Sequence, residues 1–216
     1  MPAVLVGAGI AAFGIALMLA IGLAVDRLPF AFDKNIILGL RAWTGPAWLR
    51  GVATAVTTLG NGPVLTAIVL VAVALLLLGR HRLTALALAA ASLSGGWVVD
   101  LLKAWVGRPR PHLVDHWATV SNMSFPSGHA ASSALIYLTL AALASQLVRR
   151  RRARNAMIGA AILLVGAIGA SRVYLGVHWP SDVLAGWSFG TLWAVGWWRA
   201  TAAARASFRQ SIPRSP

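Results

Sequence analysis

Apolar runs of about twenty residues, separated by short basic loops, constrain this chain more than any other feature. Inside a bilayer no water satisfies the backbone, so a crossing segment must be a helix or part of a closed barrel. A crossing helix needs roughly 20 mostly apolar residues. Six segments qualify, near residues 3–25, 63–79, 83–102, 129–148, 156–176 and 182–198, the second short and the sixth interrupted by polar residues. Only 11% of residues are charged, against about 25% in soluble domains. The expectation is an all-α polytopic membrane protein, a six-helix bundle forming one domain over residues 1–216 with no repeat or linker. The opening "MPAVLVGAGI" lacks a basic n-region and reads as a retained span, not a cleaved signal. The absence of cysteine excludes disulfides, thiolate nucleophiles and Cys-ligated metals.

A formal charge of +14 in a soluble protein would suggest nucleic acid. Here the charge sits in short loops, so the bilayer is the expected partner and nucleic acid is not. Arg80 and Arg82, the "RRRRAR" run from Arg149 to Arg154, and Arg199, Arg205, Arg209 and Arg214 fall on one side, with no acid among them. The positive-inside rule makes that side cytoplasmic, with both termini. All five acids (Asp26, Asp33, Asp100, Asp115, Asp182) then face outward. Trp43, Trp48, Trp105, Trp117 and Trp179 suit the outer interface, and Trp193, Trp197 and Trp198 the inner one.

Three polar clusters share the outer face. "KAWVGRPRP", Lys103 to Pro111, puts three cations on a proline-stiffened loop. Such cations can simply snorkel at a helix end, or form a fork of donors for phosphate. In "SNMSFPSGHAAS", Pro126 and Ser127 are helix-start residues, with Ser127 as N-cap and Gly128 allowing close backbone approach. A helix start offers free N–H groups to an anion, and His129 stands on that first turn. An ordinary cap beside an interfacial histidine is the plainer account. In "SRVYLGVHWPSD", Arg172 ends an apolar run, where an unpaired cation costs about 3 kcal/mol, so an anionic partner is expected. Pro180 starts the last helix, and Asp182 can accept a hydrogen bond from one nitrogen of His178. The other nitrogen is then free as a nucleophile.

Two histidines, several cations, a helix N-terminus and an orienting carboxylate at one depth match the parts of a phosphoryl-transfer site. The residues resemble the type 2 phosphatidic acid phosphatase (PAP2) superfamily. Its signature of Lys-x6-Arg-Pro, Pro-Ser-Gly-His and Ser-Arg-x5-His-x3-Asp stands complete as Lys103 with Arg110-Pro111, Pro126 to His129, and Ser171-Arg172 with His178 and Asp182. The resemblance implies a metal-independent phosphatase with no cofactor. His178 would attack phosphorus, Asp182 would hold it, and His129 would protonate the leaving oxygen. Lys103, Arg110, Arg172, Ser127 and the Gly128 N–H would hold the phosphate.

It also implies an enzyme of the plasma (inner) membrane with its site facing outward, acting on a membrane lipid phosphate without an obligate protein partner. Undecaprenyl pyrophosphate is the leading expectation. Phosphatidylglycerophosphate, phosphatidic acid and lipid A are alternatives, as is a phosphotransferase. A non-catalytic lipid-binding or transport protein would use the same cations, but transport expects ionisable residues at mid-membrane. Arg108 is a candidate contact for a second phosphate, with Asp115 and lipid headgroups as its other candidate partners. Asp100 is expected to pair with Lys103. The loop 26–50 reads as an interfacial segment able to cover the site, or as a packed connection.

Overall fold

The computed structural model describes residues 30–120, 122–146 and 148–210, with isolated positions 9, 13, 20 and 24. The expected span at 3–25 therefore lies outside the described residues apart from those four positions. Seven helices and no strand occur among the described residues: α1 (Ala31–Trp43), α2 (Ala47–Thr58), α3 (Gly62–Leu78), α4 (Arg82–Val106), α5 (Gly128–Ser145), α6 (Arg151–Tyr174) and α7 (Pro180–Gln210).

Of these, α4, α5 and α6 are each long and apolar enough to cross a bilayer, and α2 with α3 forms a fourth candidate bent by 45°. The all-helical membrane architecture therefore holds, with three or, counting the bent pair, four candidate spans among the described residues. Two expected spans fall short of that measure on their own for physical reasons. The α3 helix has 17 residues, about 25 Å of rise, and Gly60-Asn61-Gly62-Pro63 breaks it from α2. The α7 helix has 31 residues, but Asp182, its Ser and Thr residues and the arginines of its last turns lower its hydropathy.

Helix boundaries follow from local chemistry. Gly107, at φ +64°, closes α4 in the left-handed region, which glycine enters without a Cβ penalty. Its N–H returns to Lys103 O at 3.0 Å, and the 107–127 loop leaves from there. Pro180 opens α7, and Asp182 Oδ2 reaches back to the Trp179 N–H at 2.9 Å, a capping-box bond.

The α5–α7 pair forms the centre of the bundle. Gly186 and Gly190, four apart on α7, face Ala130, Ala131 and Ala134 of α5. A Cβ at Gly186 would lie 2.7 Å from Ser127 O, so only glycine allows this approach. Small residues at such spacing let helix backbones pack closely where lipid removes the hydrophobic driving force between helices. Phe125, Leu135, Phe189 and Trp193 fill the core beside them.

Two interfacial expectations change. Trp179 and Trp193 are buried, donating through Nε1 to Pro109 O and Ala91 O. Trp43, Trp48, Trp105 and Trp198 remain exposed. The 26–50 segment is helical from residue 31, and α1 buries Asp33 and Ile37 as it packs against α6 and α7.

Candidate active site

The end of α4, the start of α5, the end of α6 and the start of α7 converge at one end of the bundle. A cavity of about 200 Å³ there is lined by Lys103, Arg110, Asn122, His129, Arg172 and His178, with Gly128 at its edge. Both histidines thus face one space. The roof comes from Thr119, Val120 and Asn122 of the 107–127 loop, and α1 lines none of it.

His178 lies in the loop before α7 and is almost fully buried. Its Nδ1 is 3.4 Å from Asp182 Oδ2, and its Nε2 is 3.1 Å from Arg110 Nη1. A guanidinium can only donate, so Nε2 is the acceptor and the proton sits on Nδ1, toward the carboxylate. Burial pushes the imidazole down to about 4, partly opposed by the hydrogen bond and charge of Asp182. The ring is therefore neutral near pH 7, with an unshared pair on Nε2.

Asp182 is fully buried and saturated with donors. Its Oδ2 accepts from Ser124 Oγ at 2.5 Å and from the Trp179 N–H, and its Oδ1 accepts from Arg108 at 2.5 Å. The Ser127 N–H donates to the Asp182 backbone carbonyl at 3.0 Å, tying the start of α5 to that of α7.

The cations differ in how much of their donor capacity is committed. Arg110 donates to Asn122 O, Asn122 Oδ1 and Val177 O, and burial lowers its pKa. Lys103 Nζ donates to Met123 O at 2.8 Å and forms no ion pair with Asp100, which stays exposed. Arg172 is 4% exposed. Its Nη1 donates to Thr57 Oγ1, and its Nε has no partner among the described residues. The anionic partner expected for Arg172 is thus replaced by a threonine and an orphaned donor beside the cavity. Ser127 is the N-cap residue by position but makes no side-chain cap bond. Its Oγ is the other buried polar atom without a partner. Arg172 lines the cavity, whereas Ser127 adjoins it through its neighbour Gly128; an orphaned donor on a cationic wall fits an oxyanion, since burying unpaired polar groups is otherwise costly.

Arg108 does not serve the cavity. It is 6% exposed and its guanidinium is spent on Asp33 Oδ2 at 2.8 Å, Asp182 Oδ1 and Ser181 Oγ. Its ion pairs are with Asp33 and Asp182, not with Asp115.

Four residues escaped the sequence reading: Asn61, Asp33, Ser124 and Thr57. Asn61 Oδ1 lies 2.6 Å from His129 Nε2. In sequence Asn61 reads as a helix cap ahead of Pro63, and it does occupy the N-cap of α3, but its side chain makes no cap bond. Ser124 stands three residues before Ser127, and its contacts with Asp182 and with His178 Nδ1 mark it.

A second, apolar cavity of about 600 Å³ lies between α1, α2, α6 and α7, walled by Phe32, Ile36, Val52, Leu184 and Trp187. It reaches Ser171, the neighbour of Arg172.

Comparison with known proteins gives consistent results. The profile of the PAP2 superfamily matches residues 84–206. Phosphatidylglycerophosphatase B of Bacillus subtilis is 32% identical over 67% of this chain and 71% of its own length. Lipid A 1-phosphatase of Rhizobium johnstonii is 38% identical over 44% of this chain and 38% of its own length. Among solved structures, a transmembrane PAP2 type phosphatidylglycerolphosphate phosphatase from Bacillus subtilis superposes with a TM-score of 0.75 at 24% identity, covering 95% of this chain and 98% of that one. LpxE of Aquifex aeolicus gives 0.63 at 23% identity, covering 79% and 97%.

Proposed function

We propose, for a chain that belongs to the PAP2 superfamily of membrane phosphatases, that it removes a single phosphate monoester from a lipid at the outer membrane face. Phosphatidylglycerophosphate is the leading substrate. The observation carrying the choice of a monoester is the state of Arg108, whose charge is consumed by Asp33 and Asp182. The cavity then holds Lys103, Arg110 and Arg172, a set suited to the three oxygens of one phosphoryl group. Undecaprenyl pyrophosphate is thereby displaced from first place. The similarity to phosphatidylglycerophosphatase B supports the same order, and the apolar cavity beside Ser171 offers a seat for the hydrocarbon chain.

In the proposed reaction the phosphate displaces Arg110 from His178 Nε2 and takes the orphaned Ser127 hydroxyl and Arg172 Nε as donors. Nε2 attacks phosphorus, the P–O bond to the lipid breaks, and His129 gives a proton to the departing oxygen. Asp182 stabilises the charge left on the Nδ1 side of the His178 ring. Water, deprotonated by His129, then cleaves the phosphohistidine to inorganic phosphate and restores the enzyme. No cluster of three His, Asp or Glu side chains suited to a metal occurs among the described residues.

The test is phosphate release by purified enzyme in detergent from phosphatidylglycerophosphate, phosphatidic acid, lipid A 1-phosphate and undecaprenyl pyrophosphate. A monoester should give the highest kcat/KM, vanadate should inhibit and EDTA should not. His178→Ala should lose at least 1000-fold while still inserting and folding. Faster turnover of the pyrophosphate would overturn the monoester assignment, and an active His178→Ala would overturn the nucleophile.

A further inference from the structure

Asp33 sits on α1, outside all three signature motifs, yet it is 1% exposed and fully engaged. Its Oδ1 accepts the Ser181 N–H at 2.8 Å, and its Oδ2 accepts Ser181 Oγ at 2.5 Å and Arg108 Nη2 at 2.8 Å. Arg108 Nη1 continues to Asp182 Oδ1 and Ser181 Oγ, and Asp182 Oδ2 faces His178 Nδ1. The chain Asp33–Arg108–Asp182–His178 is continuous and buried. A helix cap alone needs only the bond to Ser181. A second carboxylate on Arg108 does something further, because it divides the guanidinium's charge between two anions.

We propose that Asp33 is a positioning residue that sets the basicity of His178 by sharing the charge of Arg108 with Asp182. The inference rests on the reading of His178 as nucleophile. With Asp33, Arg108 and Asp182 all charged, the trio presents a net single negative charge beside the ring. Removing the Asp33 charge makes the trio neutral, so imidazolium is less favoured and Nε2 becomes a weaker base. Removing the Arg108 charge instead leaves two negative charges and does the reverse. The other charged or titratable groups facing His178 are Arg110 from the loop, Lys103 from α4 and His129 from α5, with Arg172 of α6 across the cavity. None of them contacts Asp33, so they stay constant across the comparison.

The experiment compares the wild type, Asp33→Asn, Arg108→Gln and the double variant on phosphatidic acid in detergent, reading kcat, KM and the acid limb of kcat/KM. Asp33→Asn should lower kcat about tenfold with KM within twofold. Its acid limb should move down by about one pH unit, the size expected for one buried charge at this remove. Arg108→Gln should move the limb up, and the double variant should return it toward the wild type. Thermal melting in detergent identifies any variant that fails to fold. If Arg108→Gln is lost that way, Asp33→Asn alone decides. A limb that stays within 0.2 units in folded Asp33→Asn overturns the proposal, as does a shift of the same sign in both single variants. An active His178→Ala control would sink the underlying reading instead, so the two failures are separable.

Discussion

Ser127 offers a test in which stability and function should move in opposite directions. Its hydroxyl is 0% exposed and without a partner among the described residues, and a buried unsatisfied polar group costs about 1–3 kcal/mol. Ser127→Ala removes that group and leaves a void of one oxygen atom. The backbone bonds that fix this residue, Ser127 N–H to Asp182 O and Ala131 N–H to Ser127 O, stay intact. The free enzyme should therefore gain about 1 kcal/mol, raising Tm by roughly 2–4 °C for a chain of this size. Bound phosphate or vanadate should lose one charge-assisted hydrogen bond, about 1.5–3 kcal/mol, so the vanadate Ki should rise about 10- to 100-fold. Differential scanning fluorimetry in detergent with and without vanadate, beside inhibition kinetics, reads both effects on one preparation. A variant that melts lower and binds vanadate normally would refute the idea that the hydroxyl waits for an oxyanion.

Asn61→Ala should lower kcat about 10- to 100-fold with little change in KM, because it frees the His129 ring without touching a phosphate donor; steady-state kinetics on phosphatidic acid checks this. The His178 imidazole, pushed down to about 4 by burial, should titrate near that pH in 15N-histidine NMR, with Nδ1 protonated above it; a transition near 6.5 would contradict the burial. Between pH 6.5 and 4 the unfolded chain takes up a proton that folded His178 refuses, so its contribution to stability should be full above 6.5 and fade as pH falls to 4. Gly190→Val should destabilise by about 2–3 kcal/mol, as overpacking does, since a Cβ there runs into the α5 backbone at Ala131; thermal melting reads the loss.

Much of the site was legible because its parts are local in sequence. Pro180 and Asp182 write the start of a helix within three residues, and Pro126 to His129 do the same for α5. The partners that complete the site are not local. Asn61 lies 68 residues from His129, Thr57 lies 115 from Arg172, and Asp33 lies 148 from Ser181. Each is a common residue type that fits an ordinary turn or helix surface, and only folding reveals its use. Arg108 was left open for that reason: a cation beside Arg110 looks like a phosphate ligand until a distant aspartate is known to hold it. The span count is less legible for a different cause. A break at Gly60 to Gly62 leaves α3 short, and polar residues on α7 lower its hydropathy, without removing either helix.

The glycine seam between α5 and α7 has a consequence for how such an enzyme can change. The seam and the Ser127–Asp182 link join the start of α5 and the start of α7, beside His178, into one closely packed half. Lys103 and Arg110 reach in from a different part of the chain, and Arg172 does so from a third. New headgroup preferences would therefore arise by changing Thr119 and Val120 at the cavity and the apolar α1–α2 wall, which leave the contacts of His178 and Asp182 in place.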